Sequence, residues 1–369
     1  MKKLNIGFVG YRGMVGSVLQ SRLKDDGTLE KINSYYFSTS NPSGEAPSNS
    51  EEKTLRDAYS EEALREMDVI VSCQGGDYTK KVHPSLRENG FEGFWIDAAS
   101  ALRMKESSVI CLSPVNESYL KQSLEKGVKD YIGGNCTVSL LLLAIGGLIQ
   151  NDLVEWVSTM SYQAASGGGA RHMKELVNQM KYLSHDHEGL PQDLLGWEKS
   201  LSERLHDSNF PKELFGAPLA GSLIPWIDSA VDNGQTREEW KAMVEANKIL
   251  NKITTQIPVD GTCVRIGALR SHSQAVTIKL KKSAELSTLE DIISQTSSWT
   301  RLISNNPEDT KKYLSPAYVS GKDEVVVGRV RKMKMGDDFL NLFTVGDQLL
   351  WGAADPLKEM LKHVIEFKS

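Results

Sequence analysis

Leu4-Asn5-Ile6-Gly7-Phe8-Val9-Gly10-Tyr11-Arg12-Gly13-Met14-Val15-Gly16 decides how this chain folds. Its first half is a short apolar run, the pattern of a buried strand. Gly10, Gly13 and Gly16 follow, and Ser17-Val18-Leu19-Gln20-Ser21-Arg22-Leu23 then sets Val18, Leu19 and Leu23 at helical spacing. Strand, glycine turn and helix in that order open a dinucleotide-binding unit. Glycine lets the backbone approach a pyrophosphate, and the helix N-terminus offers it unpaired N–H groups. The plainer reading is a tight strand–helix turn without a ligand.

Further strands are expected at Ile32–Phe37, Met67–Cys73 and Phe94–Asp97, alternating with helical stretches up to about residue 133. That alternation favours a parallel sheet. Asn41–Lys53 is polar and reads as a surface loop. The strand ending at Phe37 runs into Ser38-Thr39-Ser40 with no carboxylate, where a site for NAD usually places an acid on the ribose 2′-hydroxyl. Hydroxyls there, with Arg12 in the glycine turn, suit a 2′-phosphate, so NADP is favoured over NAD.

Outward from this unit, Gly133-Gly134-Asn135-Cys136-Thr137-Val138 leads into the apolar run Leu140–Ile149. A glycine turn entering a buried helix puts Cys136 in the first turn. Free N–H groups and the helix dipole there would stabilise a thiolate, the form in which cysteine is a nucleophile. The bland alternative is a buried structural cysteine.

Beyond the Cys136 helix the character changes. Val154–Gln163 alternates enough for a strand, and Val264–Leu269 and Gln274–Leu280 read as antiparallel strands of a second domain. Arg265 and His272 are seven apart, so a bend near Ser271 is needed to aim both at one place. His272 reads equally as an acid/base partner for Cys136 or as a satisfied core histidine. Arg103, at a strand end, suits an anion site or solvent. Glu238 and Lys241 lie three apart on a helix, and from spacing alone a surface ion pair is the better reading. His185-Asp186-His187-Glu188 offers no full metal-ligand spacing, so no metal is expected. The polar stretch His185–Phe215 has few apolar anchors and fits a dimer contact. Asp355 reads as an N-cap and Pro356 as the first residue of a helix. Its stripe Leu357, Met360, Leu361, Val364 and Ile365 could return to cover the first domain.

With 369 residues the chain holds one very large domain or two ordinary ones. Its net charge of −5 argues against nucleic acid or an anionic membrane as partner, so an anionic substrate must be held by local Arg and Lys. Four widely spaced cysteines suit a reduced, cytoplasmic compartment. The longest apolar run, Val138–Ile149, is too short to span a bilayer.

Several longer strings resemble the aspartate-β-semialdehyde dehydrogenases, in their Gram-negative bacterial form. They are Gly13–Leu19, Cys73–Thr79, Gly133–Thr137, Ser161–His172, Glu238–Lys241, Arg265–Gln274 and Val345–Leu357. The resemblance covers nearly the whole chain. It implies an α/β fold: a Rossmann-like NADP-binding domain over 1–133 and 354–369, and an α+β catalytic and dimerisation domain over 134–353. It implies NADPH-dependent reduction of L-aspartyl-4-phosphate to L-aspartate 4-semialdehyde, with release of phosphate, on the route to lysine, threonine and methionine. By matching position Cys136 would be the nucleophile, carrying a thioester, and His272 the acid/base. Gln163 would orient the acyl group, with Arg265 and Glu238 on the substrate's carboxylate and amino group. Arg103, Asn135 and Lys241 would bind phosphate. Gly10, Arg12, Gly13, Met14, Val15, Thr39, Ser40, Gln74, Ser166, Gly167 and Gln348 would line the NADP site. The family is homodimeric. Reduction of N-acetylglutamyl phosphate uses the same Cys/His logic without needing Glu238 for a free amino group. A non-catalytic NADP-binding regulator is a further alternative, and a thiol hydrolase would leave the glycine turn unexplained.

Overall fold

The strands of the first 133 residues assemble into one parallel sheet. In the computed structural model, which describes residues 3–184, 193–252 and 254–369, β1 (Asn5–Val9) passes through the glycine turn into α1 (Met14–Asp25). β2 (Asn33–Ser38), β3 (Arg56–Asp57), α2 (Glu61–Arg65), β4 (Val69–Ser72), α3 (Gly76–Glu88) and β5 (Phe94–Asp97) follow. β6 (Ser108–Cys111), α4 (Glu117–Glu125) and β7 (Asp130–Gly133) complete it. The order is β3-β2-β1-β4-β5-β7-β6, parallel at every pairing. Strand order reverses at β1, which has β2 on one side and β4 on the other. The loops after β1 and β4 therefore flank a crevice at the C-terminal edge, the place where such sheets take ligands.

From β7 the chain enters α5 (Cys136–Gln150), buried on every side from Thr137 to Ile149. A helix covered all round has no polar face to display, which accounts for its unbroken apolar run. It packs on the second sheet and on α8 (Arg237–Ile249) and α9 (Leu286–Ser294). The second sheet is mixed. Its strands are β8 (Val154–Gln163), β9 (Leu223–Ile224), β10 (Val259–Asp260), β11 (Cys263–Ile266), β12 (Ser271–Leu280), β13 (Thr300–Leu302), β14 (Val325–Met333) and β15 (Gly336–Asp347). They run β13-β14-β15-β12-β8-β11-β9, with β10 also on β8. Around it lie α6 (Ala170–Ser184), α7 (Leu194–Leu205), α10 (Pro307–Tyr313) and α11 (Pro316–Val319).

The expected strand at Val264–Leu269 ends at Ile266, and it does not pair with β12. β8 lies between them, parallel to β11 and antiparallel to β12. The turn between Arg265 and His272 falls at residues 267–270, next to Ser271.

The last helix, α12 (Asp355–Lys368), returns to the first sheet as its apolar stripe suggested, burying Leu357, Met360, Leu361 and Val364 against β5, β6 and β7. Asp355 is not its N-cap. A π-turn at Leu350–Ala354 runs straight into the helix, and the Asp355 carboxylate instead takes Arg22 and Lys358. Ile365 lies partly buried beside the stripe.

Candidate active site

Between the two sheets opens a cavity of about 370 Å³ lined by Arg103, Gly133, Gly134, Asn135, Cys136, Gln163, Glu238, Lys241 and Arg265, together with Val15, Gly167 and Gln348. Each element brings its residue from a different part of the chain. β7 ends in Gly133, and Asn135 caps α5: its Oδ1 accepts the N–H groups of Thr137 and Val138. Cys136 is therefore the first helical residue. Gln163 and Arg265 are register partners at the ends of β8 and β11. His272, wholly buried near the start of β12 beside β8, presents Nε2 to Cys136 Sγ at 3.2 Å. Its Nδ1 accepts the Ala164 N–H at 3.0 Å, so a neutral ring carries its proton on Nε2, facing the sulfur.

α8 begins at a capping box of Thr236 and Glu239. From there it directs Glu238, Lys241, Glu245 and Lys248 along one side, at helical spacings of three, four and three. Glu238 Oε1 accepts from Asn135 Nδ2 and Gln163 Nε2, each at 2.9 Å, and Oε2 from Lys241 Nζ at 2.8 Å. The ion pair expected from spacing is thus present, but it lines the cavity instead of the outer surface. Glu245 takes Arg103 Nη1 at 3.3 Å and the Asn135 N–H at 2.8 Å. Lys248 Nζ donates to the carbonyls of Arg103 and Lys105. Arg103 also donates to the carbonyls of Gly133, Gly134 and Ala98. Glu245 and Lys248 were not singled out in the sequence. Their signal was there, as the continuation of the Glu238–Lys241 stripe by two more turns.

The electrostatics overturn one expectation. The Cys136 thiol is not held low. Burial, with Glu238 adding to it, pushes it up to about 12 against the pull of Arg265, Arg103 and Lys241. Burial is the main physical reason, and the first-turn amides that could oppose it are largely engaged. Two amides of the first turn are already bonded to Asn135 Oδ1, and the Asn135 N–H goes to Glu245. Burial, assisted by Arg265, likewise takes His272 down to about 3. The resting pair is a thiol beside a neutral imidazole. Arg265 is held below its ordinary value by burial, with Cys136 and Glu238 opposing.

The cofactor-side residues form a second cavity, of about 320 Å³, lined by Gly10, Tyr11, Arg12, Gly13, Ser38, Thr39, Ser40 and Gln74. It fits a dinucleotide. Gly10 has φ +77° and Gly16 packs on it so closely that a Cβ there would lie 2.3 Å from the Gly10 carbonyl oxygen. α1 starts with no side-chain cap and no acidic residue in its first turn, which leaves its N–H groups for a phosphate. Arg12 Nη2 donates to Ser38 Oγ at 3.2 Å, beside the backbone of Ser40 and Asn41. Ser38, buried beneath them, organises this rim. Gln348 keeps a buried Oε1 without a protein donor. Of the expected lining, Met14 opens α1 but borders neither cavity, and the Ser166 hydroxyl is spent on the Arg270 carbonyl.

Among the described residues no group of His, Cys, Asp and Glu could hold a metal ion. His185-Asp186-His187-Glu188 lies outside those residues. No described helix is long and apolar enough to cross a membrane.

Two family models match the chain: the NAD-binding domain of semialdehyde dehydrogenases over residues 5–123, and their dimerisation domain over 145–351. Among solved structures, aspartate semialdehyde dehydrogenase from Francisella tularensis is 47% identical, with 98% of this chain and 99% of that one covered and a TM-score of 0.94. Aspartate semialdehyde dehydrogenase II from Vibrio cholerae, complexed with ASA, shares the fold at 22% identity, 99% coverage of both chains and a TM-score of 0.80. So does the Candida albicans enzyme with NADP, at 15% identity, 99% and 100% coverage and a TM-score of 0.65. The chain belongs to the aspartate semialdehyde dehydrogenase family, as an oxidoreductase that works with a nicotinamide cofactor.

Proposed function

We propose that this protein reversibly reduces L-aspartyl-4-phosphate to L-aspartate 4-semialdehyde with NADPH, releasing phosphate, through a thioester on Cys136, in the synthesis of lysine, threonine and methionine. The observation that carries the reading is the Cys136–His272 contact at 3.2 Å on a cavity with Arg103, Lys241 and Arg265 around it. An acidic protein that gathers three cations about one thiol is suited to a substrate with a carboxylate and a phosphate.

In this reading Arg265 takes the substrate carboxylate and Glu238 its ammonium, while Gln163 orients the acyl group. Arg103, Lys241 and Asn135 face the phosphate. Arg103 keeps one Nη1 hydrogen for it beyond its present bonds, and Asn135 keeps one Nδ2 hydrogen besides the one given to Glu238. Sγ attacks the acyl carbon and the carbon–oxygen bond to phosphate breaks, so that thiol and acyl phosphate become thioester and hydrogen phosphate. NADPH, when bound in the glycine cradle, supplies the hydride. The alkoxide left on the carbon collapses to the aldehyde and expels Cys136 as a thiolate, which takes a proton from water to restore the resting thiol. His272 Nε2–H steadies that oxygen and then the sulfur, which is its acid/base position. A 2′-phosphate suits Arg12 and the Thr39–Ser40 hydroxyls, with Gly10, Gly13, Met14, Val15 and Gln74 along the dinucleotide. Ser166, Gly167 and Gln348 are assigned to the nicotinamide end.

The two units divide at 133/134 and 353/354, and the second forms a homodimer in the cytoplasm. A buried Glu238 facing the cavity favours a free ammonium over an N-acetyl group. The test follows NADPH formation from aspartate semialdehyde, NADP and phosphate. Turnover is expected with this aldehyde and not with N-acetylglutamate semialdehyde, and the reverse preference overturns the substrate. Cys136→Ser should lose at least about a thousandfold in turnover while keeping NADP affinity. Substantial retained turnover ends the nucleophile assignment.

A further inference from the structure

Three cations face the thiol, and two of them already hold carboxylates: Glu245 on Arg103, and both Glu238 and Asp228 on Lys241. Glu238 and Glu245 are fixed, standing on α8 with side chains 8% and 3% exposed. Asp228 differs on each count. It stands on the loop before α8, its side chain is 37% exposed, and it lines the catalytic cavity. Its backbone is held at φ +74°, a conformation that a non-glycine residue takes only at a cost. Its Oδ2 takes Lys241 Nζ at 2.9 Å, and its Oδ1 takes the Ser229 N–H at 2.8 Å. The Trp226 indole N–H donates to its carbonyl.

We propose that Asp228 occupies the place of the phosphate on Lys241 in the resting enzyme and is displaced by it, so that this one carboxylate sets how tightly phosphate binds. The inference rests on Lys241 being a phosphate ligand. An ammonium has three N–H groups, and Glu238 and Asp228 use two of them. A phosphate dianion that approaches Lys241 meets the Asp228 charge at close range, the two repel strongly in a site partly screened from water, and the phosphate takes over the N–H that Asp228 held. The carboxylate on the exposed and strained loop yields, while the one on the helix stays to hold the substrate ammonium. Although burial opposes it, Lys241 together with the Ser229 N–H keeps the Asp228 carboxyl below its ordinary range, so it is charged and competing throughout the working pH range.

Asp228→Asn is the informative variant, because asparagine accepts a left-handed backbone as readily as aspartate and only the charge is removed. Steady-state rates in the phosphorylating direction, with inorganic phosphate varied, should show its KM falling about tenfold. The KM for aspartate semialdehyde should move less than about twofold. Asp228→Gly, which relieves the backbone and removes the side chain, should shift the phosphate KM the same way. An unchanged or raised phosphate KM in both variants overturns the inference, as does a rise confined to the aldehyde KM, which would make Asp228 a second ammonium ligand. Lys241→Gln separates this from the parent reading. If it leaves the phosphate KM unmoved, the phosphate assignment itself fails. If it raises that KM while both Asp228 variants do nothing, only the role of Asp228 fails.

Discussion

The same sheet ends twice in a strand, a glycine turn and a helix, and the two helix ends are finished in opposite ways. After β1, α1 begins at Gly13 with no side-chain cap and no acid in its first turn. After β7, α5 begins at Asn135, whose side chain takes two amides, while Glu245 takes the Asn135 N–H. The first end is open and the second is closed. An open end keeps its partial positive charge for an anion, which suits a diphosphate. A closed end has spent much of it on its own chain. It serves to aim Cys136 at His272, and the thiol above it remains protonated. Local sequence grammar is shared, and capping decides which end binds and which end positions.

Among the tests of this comparison, the largest effect comes from breaking what the closed end aims at. His272→Ala should lower kcat by at least about a hundredfold, since no other described side chain donates to Cys136 Sγ. A loss below about fivefold would show that the aiming is not used. NADP affinity, which belongs to the open end, should stay within about twofold of the parent.

Next comes the open end. Arg12 lies at its rim, bonded to Ser38. Arg12→Ala should weaken NADP by about tenfold more than NAD, as expected for one charge-assisted contact to a 2′-phosphate. Titrations of both cofactors decide it. Equal weakening would mean that Arg12 steadies the turn without reading the phosphate.

How much of this was legible in the chain follows the same division. The open end is local: strand, glycines and helix are contiguous, so its reading stood, and α5 was visible because thirteen consecutive residues are buried. β6 and β7 escaped notice, for β7 is four residues beginning with Asp130 and ending in Gly133, with no period to detect. The closed end is made by residues far apart. Glu245 meets Asn135 across 110 positions and His272 meets Cys136 across 136, which no spacing rule can pair. The free thiolate was expected because a cap and a helix dipole read alike in sequence, while only the fold shows where each N–H goes. Asp228 gave no signal at all, being one acid in a loop until β8, β11 and α8 brought Lys241 beside it.

The smallest effect is the sharpest test of the comparison, since it asks whether the cap is what withholds the dipole from Cys136. Asn135→Ala removes both the cap and the Nδ2 donation to Glu238, whereas Asn135→Ser loses the donation but keeps a capping oxygen. The difference between the two isolates the cap, and in chemical unfolding it should be about 1 kcal/mol in favour of serine. Alkylation of Cys136 by iodoacetamide reads the charge. With the thiol pushed up to about 12, only the thiolate fraction reacts. The parent's rate should therefore climb about tenfold per pH unit from pH 7 to 9, without a plateau. In Asn135→Ala the freed Thr137 and Val138 amides favour the thiolate and lower its pKa, so alkylation at pH 8 should be faster than in Asn135→Ser. Equal rates would mean that the cap leaves the dipole available, and that burial beside Glu238 alone keeps the proton on sulfur. A plateau below pH 8 in the parent would go further and return Cys136 to the preformed thiolate that its place in the helix first suggested.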